Sequence, residues 1–143
     1  MPRAICAASV LPDNFFIARD VPHEWLFPRV SLAIHHGGAG TTHTAARASV
    51  PQVILPFGSD QFFWAARVAA RGAAPAVSRQ GPRNWAALRE MISFGLLEST
   101  QQKASELGQA VAHEDGVHRA AVEIEALASD GSGKTQRSTT SLE

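Results

Sequence analysis

His35-His36-Gly37-Gly38-Ala39-Gly40-Thr41-Thr42 is the stretch on which the fold turns. An apolar run, Val30 to Ile34, leads into it, and an alanine-rich segment, Thr44 to Ala48, leads out. That order reads as strand, glycine loop, helix. Glycines let a backbone turn tightly and come close to a ligand where a Cβ would clash. Thr41 or Thr42 is placed to cap the following helix. A helix starting here aims unpaired N–H groups and the positive end of its dipole into the loop, which makes an anion site. The two histidines add hydrogen bonds, or charge when protonated. The pattern predicts a phosphate or pyrophosphate ligand.

Other glycine motifs fit less well. A dinucleotide fingerprint needs three spaced glycines. Gly38 and Gly40 meet the first two positions, His43 stands at the third, and Asp60 lies at about the distance of the ribose-binding acid. A dinucleotide-dependent oxidoreductase therefore stays as an alternative. Gly133-Lys134-Thr135 looks like the end of a P-loop, but Ala128 occupies the upstream glycine position and no strand precedes it. His35, His36 and His43 have no cysteine or carboxylate at ligand spacing, which argues against a metal centre.

Working outward, the strand signals are Ala4 to Val10, Phe15 to Ala18, Val30 to Ile34, Gln52 to Leu55 and the short Ala74 to Val77. Leu11 to Asn14 reads as a turn, and Asp20 to Glu24 as a loop with one helical turn after it, up to Pro28. Helices are predicted from Thr42 to Ser49 and from Asp60 to the stop at Gly72, with Phe62, Phe63, Ala66, Ala69 and Ala70 at helical spacing. Three further faces follow: Trp85, Leu88 and Ile92, capped by Asn84; Ala104, Leu107 and Val111; and Val117, Ala121, Ile124 and Leu127 after the break at Asp115-Gly116. Strands alternating with helices predict an α/β domain, a Rossmann-like parallel sheet with flanking helices, over residues 1–128. Residues 129–143 are rich in serine, threonine, glycine and charge, and are expected to form a disordered tail.

The 143 residues suffice for one core, with 45% hydrophobic and 18% charged residues and a net charge of zero, which speaks against a nucleic-acid partner. Cys6 is the sole cysteine, which points to a reducing, cytoplasmic setting. No apolar run approaches the length of a transmembrane segment. Arg3 followed by Ala4 to Leu11 faintly resembles a signal peptide, but reads better as a first buried strand.

In an open parallel sheet, ligands sit beyond the carboxyl ends of the strands. The Val21-Pro22-His23 loop, the glycine loop, the Phe57-Gly58-Ser59 turn and the Asp60-Gln61 pair fall there together. A glycine loop with histidines suits a diphosphate. An acid followed by an amide suits sugar hydroxyls, because the carboxylate accepts while the amide both donates and accepts. The extended backbone at Val21 can serve a base. Together these features make a nucleotide-sugar site.

Val21-Pro22-His23-Glu24-Trp25-Leu26-Phe27-Pro28-Arg29-Val30, the glycine loop, Asp60-Gln61-Phe62-Phe63-Trp64 and Glu114-Asp115-Gly116-Val117 resemble the C-terminal, donor-binding half of UDP-glycosyltransferases, and sterol 3-β-glucosyltransferases in particular. The resemblance runs from about Arg3 to Ala128. It implies a GT-B fold and a hexosyltransferase that moves a hexose, glucose in the nearest subgroup, from a UDP-sugar to a sterol, lipid or other hydrophobic hydroxyl. It also implies inversion at the sugar carbon and no cofactor or metal requirement. Carried over by position, His35, Gly38, Ala39, Gly40 and Thr41 line the diphosphate, Val21 lies by the uracil, and Asp60 and Gln61 hold the sugar. A non-catalytic module derived from such an enzyme is the alternative.

Phe57-Gly58-Ser59 departs locally from the family's pattern before the Asp-Gln pair. In that family a separate N-terminal acceptor domain supplies the catalytic base, and the donor domain has a strand and helix ahead of those read here. The chain is therefore expected to bind a donor without transferring it unaided, and to self-association or an acceptor-domain partner protein. A peripheral membrane association would come through that other domain.

Overall fold

The computed structural model describes residues 12–77 and 81–132, and side chains of that last segment as far as residue 129. The expected strand Ala4 to Val10 lies outside the described residues. The elements are α1 (His23–Leu26), a 3-10 turn (Phe27–Arg29), β1 (Ala33–His35), α2 (Ala39–Arg47), β2 (Gln52–Ile54), α3 (Gln61–Ala70), α4 (Trp85–Gly95), α5 (Glu98–Ala112) and α6 (Gly116–Ser132).

The sheet is an α/β unit of two parallel strands with Ala33 opposite Gln52, Ile34 opposite Val53 and His35 opposite Ile54. Parallel pairing requires a crossover, and α2 provides it. β1 is shorter than the apolar run before it. The Val30 N–H closes the 3-10 turn on the Phe27 carbonyl, and the Ser31 carbonyl accepts from the Gln101 amide, so pairing begins only at Ala33. β2 is fully buried, as a strand covered on both faces should be.

Helices cover it through small residues. Ile54, Ala65, Val68, Ala73, Ala74 and Ala104 form one core cluster, with Val77 and Leu107 against it. Phe27, Ala33, Ala45 and Val50 form a second. α5 crosses α2 with Gly108 directly over Ser49 and the Ala46 carbonyl. The face Ala104, Leu107, Val111 packs as its spacing predicts, joined by Thr100.

Several expectations are corrected. Phe15 to Ala18 forms no ladder; no described strand pairs with it, and Phe16 is 90% exposed. Ala74 to Val77 is not a strand, although the Gln52 N–H reaches the preceding Ala73 carbonyl at 3.0 Å. The buried face of α3 is Ala65 and Val68, while Ala66 and Ala70 are exposed. Asn84 caps α4 through the Ala87 N–H, but Trp85 faces outward and Leu88 and Ile92 face inward with Met91. α6 begins where expected, its first turn held by Asp115 Oδ1 accepting from the His118 N–H, and it runs to Ser132, past the boundary expected at Ser129. Its Val117, Ile124 and Leu127 are exposed. The rest of the expected tail, 133–143, lies outside the described residues.

Candidate nucleotide-sugar site

α2 starts earlier than its threonines predict. Gly38, in an extended conformation, takes the cap position, and no side chain caps the helix. The first backbone hydrogen bond of α2 runs from the Thr42 N–H to the Gly38 carbonyl. The N–H groups of Ala39, Gly40 and Thr41 therefore head the helix without an intrahelical acceptor. Thr42 is inside the helix, buried, and its Oγ1 has no hydrogen-bond partner among the described residues. Ala39 and Thr41 are half-buried and Gly40 is exposed, so ligand access is open at the first turn.

Gly37 brings this loop to the start of α3. Its φ is +94°, a region that side chains rarely adopt. A Cβ there would lie 2.6 Å from Ile54 Cγ2 and 3.2 Å from the Gln61 carbonyl oxygen. Only a glycine lets the loop lie this close to β2 and to Gln61. Two of the sequence-predicted groups, the glycine loop and the Asp60-Gln61 pair, are thus adjacent.

His35 holds the loop from the strand side. Its Nδ1 accepts from the Gly37 N–H at 3.0 Å, and its Nε2 bonds Gln52 Oε1 at 2.8 Å. A ring nitrogen that accepts carries no proton, so the proton is on Nε2, which donates to Gln52. Burial lowers the His35 pKa from its ordinary 6.5; the Gln52 bond opposes the shift, and His36 and His23 add to it. His36 is exposed, with its Nε2 close over Gly38 and its ring 5.9 Å from Phe57.

At the start of α3, Asp60 stands in the cap position with helical dihedrals and makes no capping bond. Its Oδ2 accepts from Trp64 Nε1 at 2.9 Å. Gln61 Oε1 accepts from the N–H groups of Phe57 and Gly58, at 2.9 and 3.2 Å, which shapes the turn before the pair. Asp60 Oδ1 and Gln61 Nε2 have no partner among the described residues, so the pair keeps one free acceptor and one free donor. His43 packs edge-on to Trp64 at 5.8 Å, one turn along α2.

A cleft of about 300 Å³ opens beside the loop, with His23, Phe27, Leu32, Ile34, His35 and Thr41 among its lining residues. That is the lower end of the size range of small-molecule sites. The ring of His23 stacks on Phe27 at 4.8 Å. Val21, two residues earlier and half-buried, does not line the cleft. A second cleft of about 340 Å³, between Pro75 to Val77 and α4, contains none of the predicted site residues and only Glu90 as a charged group. The chemistry favours the smaller one.

Gln52 is the site residue that sequence reasoning missed. The signal was visible: one amide in an otherwise apolar strand, from Val50 to Leu55. Among the described residues no group of three or more His, Cys, Asp or Glu is placed to hold a metal ion. No described helix is long and apolar enough to cross a membrane.

Comparison with known proteins places the chain in a family and a fold. Residues 3–114 match the family model of the erythromycin biosynthesis protein CIII-like C-terminal domain. Sterol 3-beta-glucosyltransferase UGT80B1 of Arabidopsis thaliana is 41% identical over 110 residues, which are 77% of this chain and 18% of that protein. The chain spans less than a fifth of the length of the curated relatives it matches. Among solved structures, spinosyn forosaminyltransferase SpnP has a TM-score of 0.73 at 28% identity over 87% of this chain and 34% of its own. The glycosyltransferase VinC, solved in complex with DTDP, has a TM-score of 0.71 at 27% identity over 84% of this chain and 30% of its own.

Proposed function

The chain belongs to the family of the erythromycin biosynthesis protein CIII-like C-terminal domain, and on that premise we propose that it is the donor-binding part of a glycosyltransferase that uses a UDP-sugar. The observation that carries this reading is the close approach at Gly37, which sets the uncapped start of α2 beside Asp60 and Gln61. An anion site next to a hydroxyl-binding pair suits the two ends of a sugar diphosphate.

In this reading the N–H groups of Ala39, Gly40 and Thr41, with the Thr41 hydroxyl, receive the diphosphate. The helix dipole adds to these bonds, each about 1.5–3 kcal/mol when the acceptor is charged. His35 and Gly38 act through the loop: His35 by its bond to the Gly37 N–H, Gly38 by its extended cap conformation. The base enters the cleft by His23 and Phe27, and the Val21 backbone, outside the cleft lining, is proposed to approach it from the loop before α1. Asp60 Oδ1 accepts from a sugar hydroxyl, and Gln61 Nε2 donates to the neighbouring one. The sugar is glucose and the acceptor a sterol or similar hydrophobic alcohol, in keeping with the name of the plant relative. Transfer also needs a base at the acceptor oxygen and an acceptor held in line with the sugar carbon. Those roles are assigned to the remainder of a full-length enzyme of this kind, as a further domain or a docked partner protein.

The test is a thermal-unfolding panel with UDP, UDP-glucose, dTDP and NAD. A ligand that binds the folded chain raises its midpoint by mass action. UDP and UDP-glucose are expected to protect; protection by NAD alone would reverse the assignment in favour of a dinucleotide enzyme.

A further inference from the structure

We propose that Gln52 is a positioning residue for the donor site, fixing the tautomer of His35 and through it the shape of the glycine loop. Gln52 is fully buried in β2, between α2 and the sheet, with no exposed surface. A buried amide is unfavourable unless it is hydrogen-bonded, and an apolar side chain of like volume would fill the same space at no such cost. The amide is bonded at both ends. Nε2 donates to the Thr42 carbonyl at 3.4 Å, and Oε1 faces His35 Nε2 at 2.8 Å.

The direction of every bond in this chain is forced. A carbonyl can only accept, so the Gln52 NH2 faces Thr42 and its oxygen faces His35. An amide oxygen also only accepts, so His35 must carry its proton on Nε2. Nδ1 is then bare and accepts from the Gly37 N–H at 3.0 Å. Read from the other end, the Gly37 N–H can only donate, and the same tautomer follows. One polar relay therefore links the glycine loop, β1, β2 and α2.

The alternative tautomer would set an Nδ1–H against the Gly37 N–H, two donors at hydrogen-bond distance. Gly37 sits against Ile54 and the Gln61 carbonyl in a space that takes no side chain. Relieving that repulsion would shift the loop, and with it the start of α2 at Gly38 and Ala39. Gln52 thus acts on a ligand that it never touches. This consequence for binding rests on the donor-site reading above; the tautomer itself does not.

The experiment is nitrogen-15 NMR of the His35 ring in the free protein, at a pH where the ring is neutral, with UDP titrations alongside. The wild type is expected to show the Nε2–H form. Gln52→Leu is expected to admit the Nδ1–H form and to weaken UDP about tenfold. Gln52→Leu combined with His35→Asn should regain affinity over Gln52→Leu alone, since the asparagine oxygen can accept from Gly37 with no tautomer to fix. An Nδ1–H wild type would overturn the inference directly, even if the leucine variant did not fold. So would a folded Gln52→Leu protein with unchanged tautomer and UDP affinity. An Nε2–H wild type that does not bind UDP would leave the relay standing and overturn the donor-site reading, and with it Gln52's part in binding.

Discussion

The N–H of Gly37 donates to Nδ1 of His35 at 3.0 Å, so the first glycine of the loop is tied to the last residue of β1. The bond closes the chain back on itself just before α2 begins. It turns a flexible glycine sequence into a defined approach path for the helix, and it makes the loop sensitive to side-chain chemistry beneath it.

Substitution of Gly37 should be damaging out of proportion to its size. A residue with a Cβ in the left-handed region is strained by about 1–2 kcal/mol. Overpacking against Ile54 adds about 1–3 kcal/mol. Gly37→Ala is expected to lower the urea midpoint and to weaken UDP together. Wild-type stability in Gly37→Ala would show that the loop does not run as described.

Stability should fall on acidification through the histidine range. His35 has its pKa lowered in the folded state by burial, opposed by Gln52 and reinforced by the nearby His36 and His23. The unfolded chain therefore binds the proton first. Stability is full above the ordinary value of 6.5, is lost as pH falls from there toward the lower folded value, and then levels off. Protonation also occupies Nδ1, which releases Gly37. Denaturation midpoints measured at stepwise pH should show this loss in the wild type and a flatter profile in His35→Asn. Identical profiles would remove His35 as the source.

The core should be centred on β2 and not on α6. Ile54 is fully buried, and Ile54→Ala is expected to cost about 2–5 kcal/mol. Val117 on α6 is 86% exposed, and Val117→Ala should fall within about 0.5 kcal/mol of wild type. Equilibrium urea unfolding of the two variants distinguishes them. A large loss at Val117 would mean that α6 packs on something in solution.

The sequence made the local devices legible. The glycine loop, β2, the helix start at Asp60, the stop at Gly72 and the Asn84 cap are short-range features, set by one or two side chains or by a backbone dihedral. Pairing and orientation were less visible. Phe15 to Ala18 has the composition of a strand, but strand formation depends on a partner, and none of the described strands is one. Trp85 shares a helical spacing with Leu88 and Ile92, yet its position in the first turn swings it outward. Thr41 and Thr42 read as caps because a threonine after glycines commonly is one; Gly38 takes that role, and Thr42 Oγ1 has no partner among the described residues. In the sequence Gln52 is one more strand residue. Its meaning comes from His35, Gly37 and Thr42 meeting around it in space.

The most direct test of the donor-site account is isothermal titration of Asp60→Ala with UDP and, separately, with UDP-glucose. Asp60 is exposed and its printed bond is to half-buried Trp64, whose ring also packs on His43 and Phe63, so the variant should fold normally. The account predicts unchanged UDP affinity and a loss of about 1.5–3 kcal/mol for UDP-glucose, the range for hydrogen bonds to a charged group. Equal losses for both ligands, or no loss for either, would contradict it.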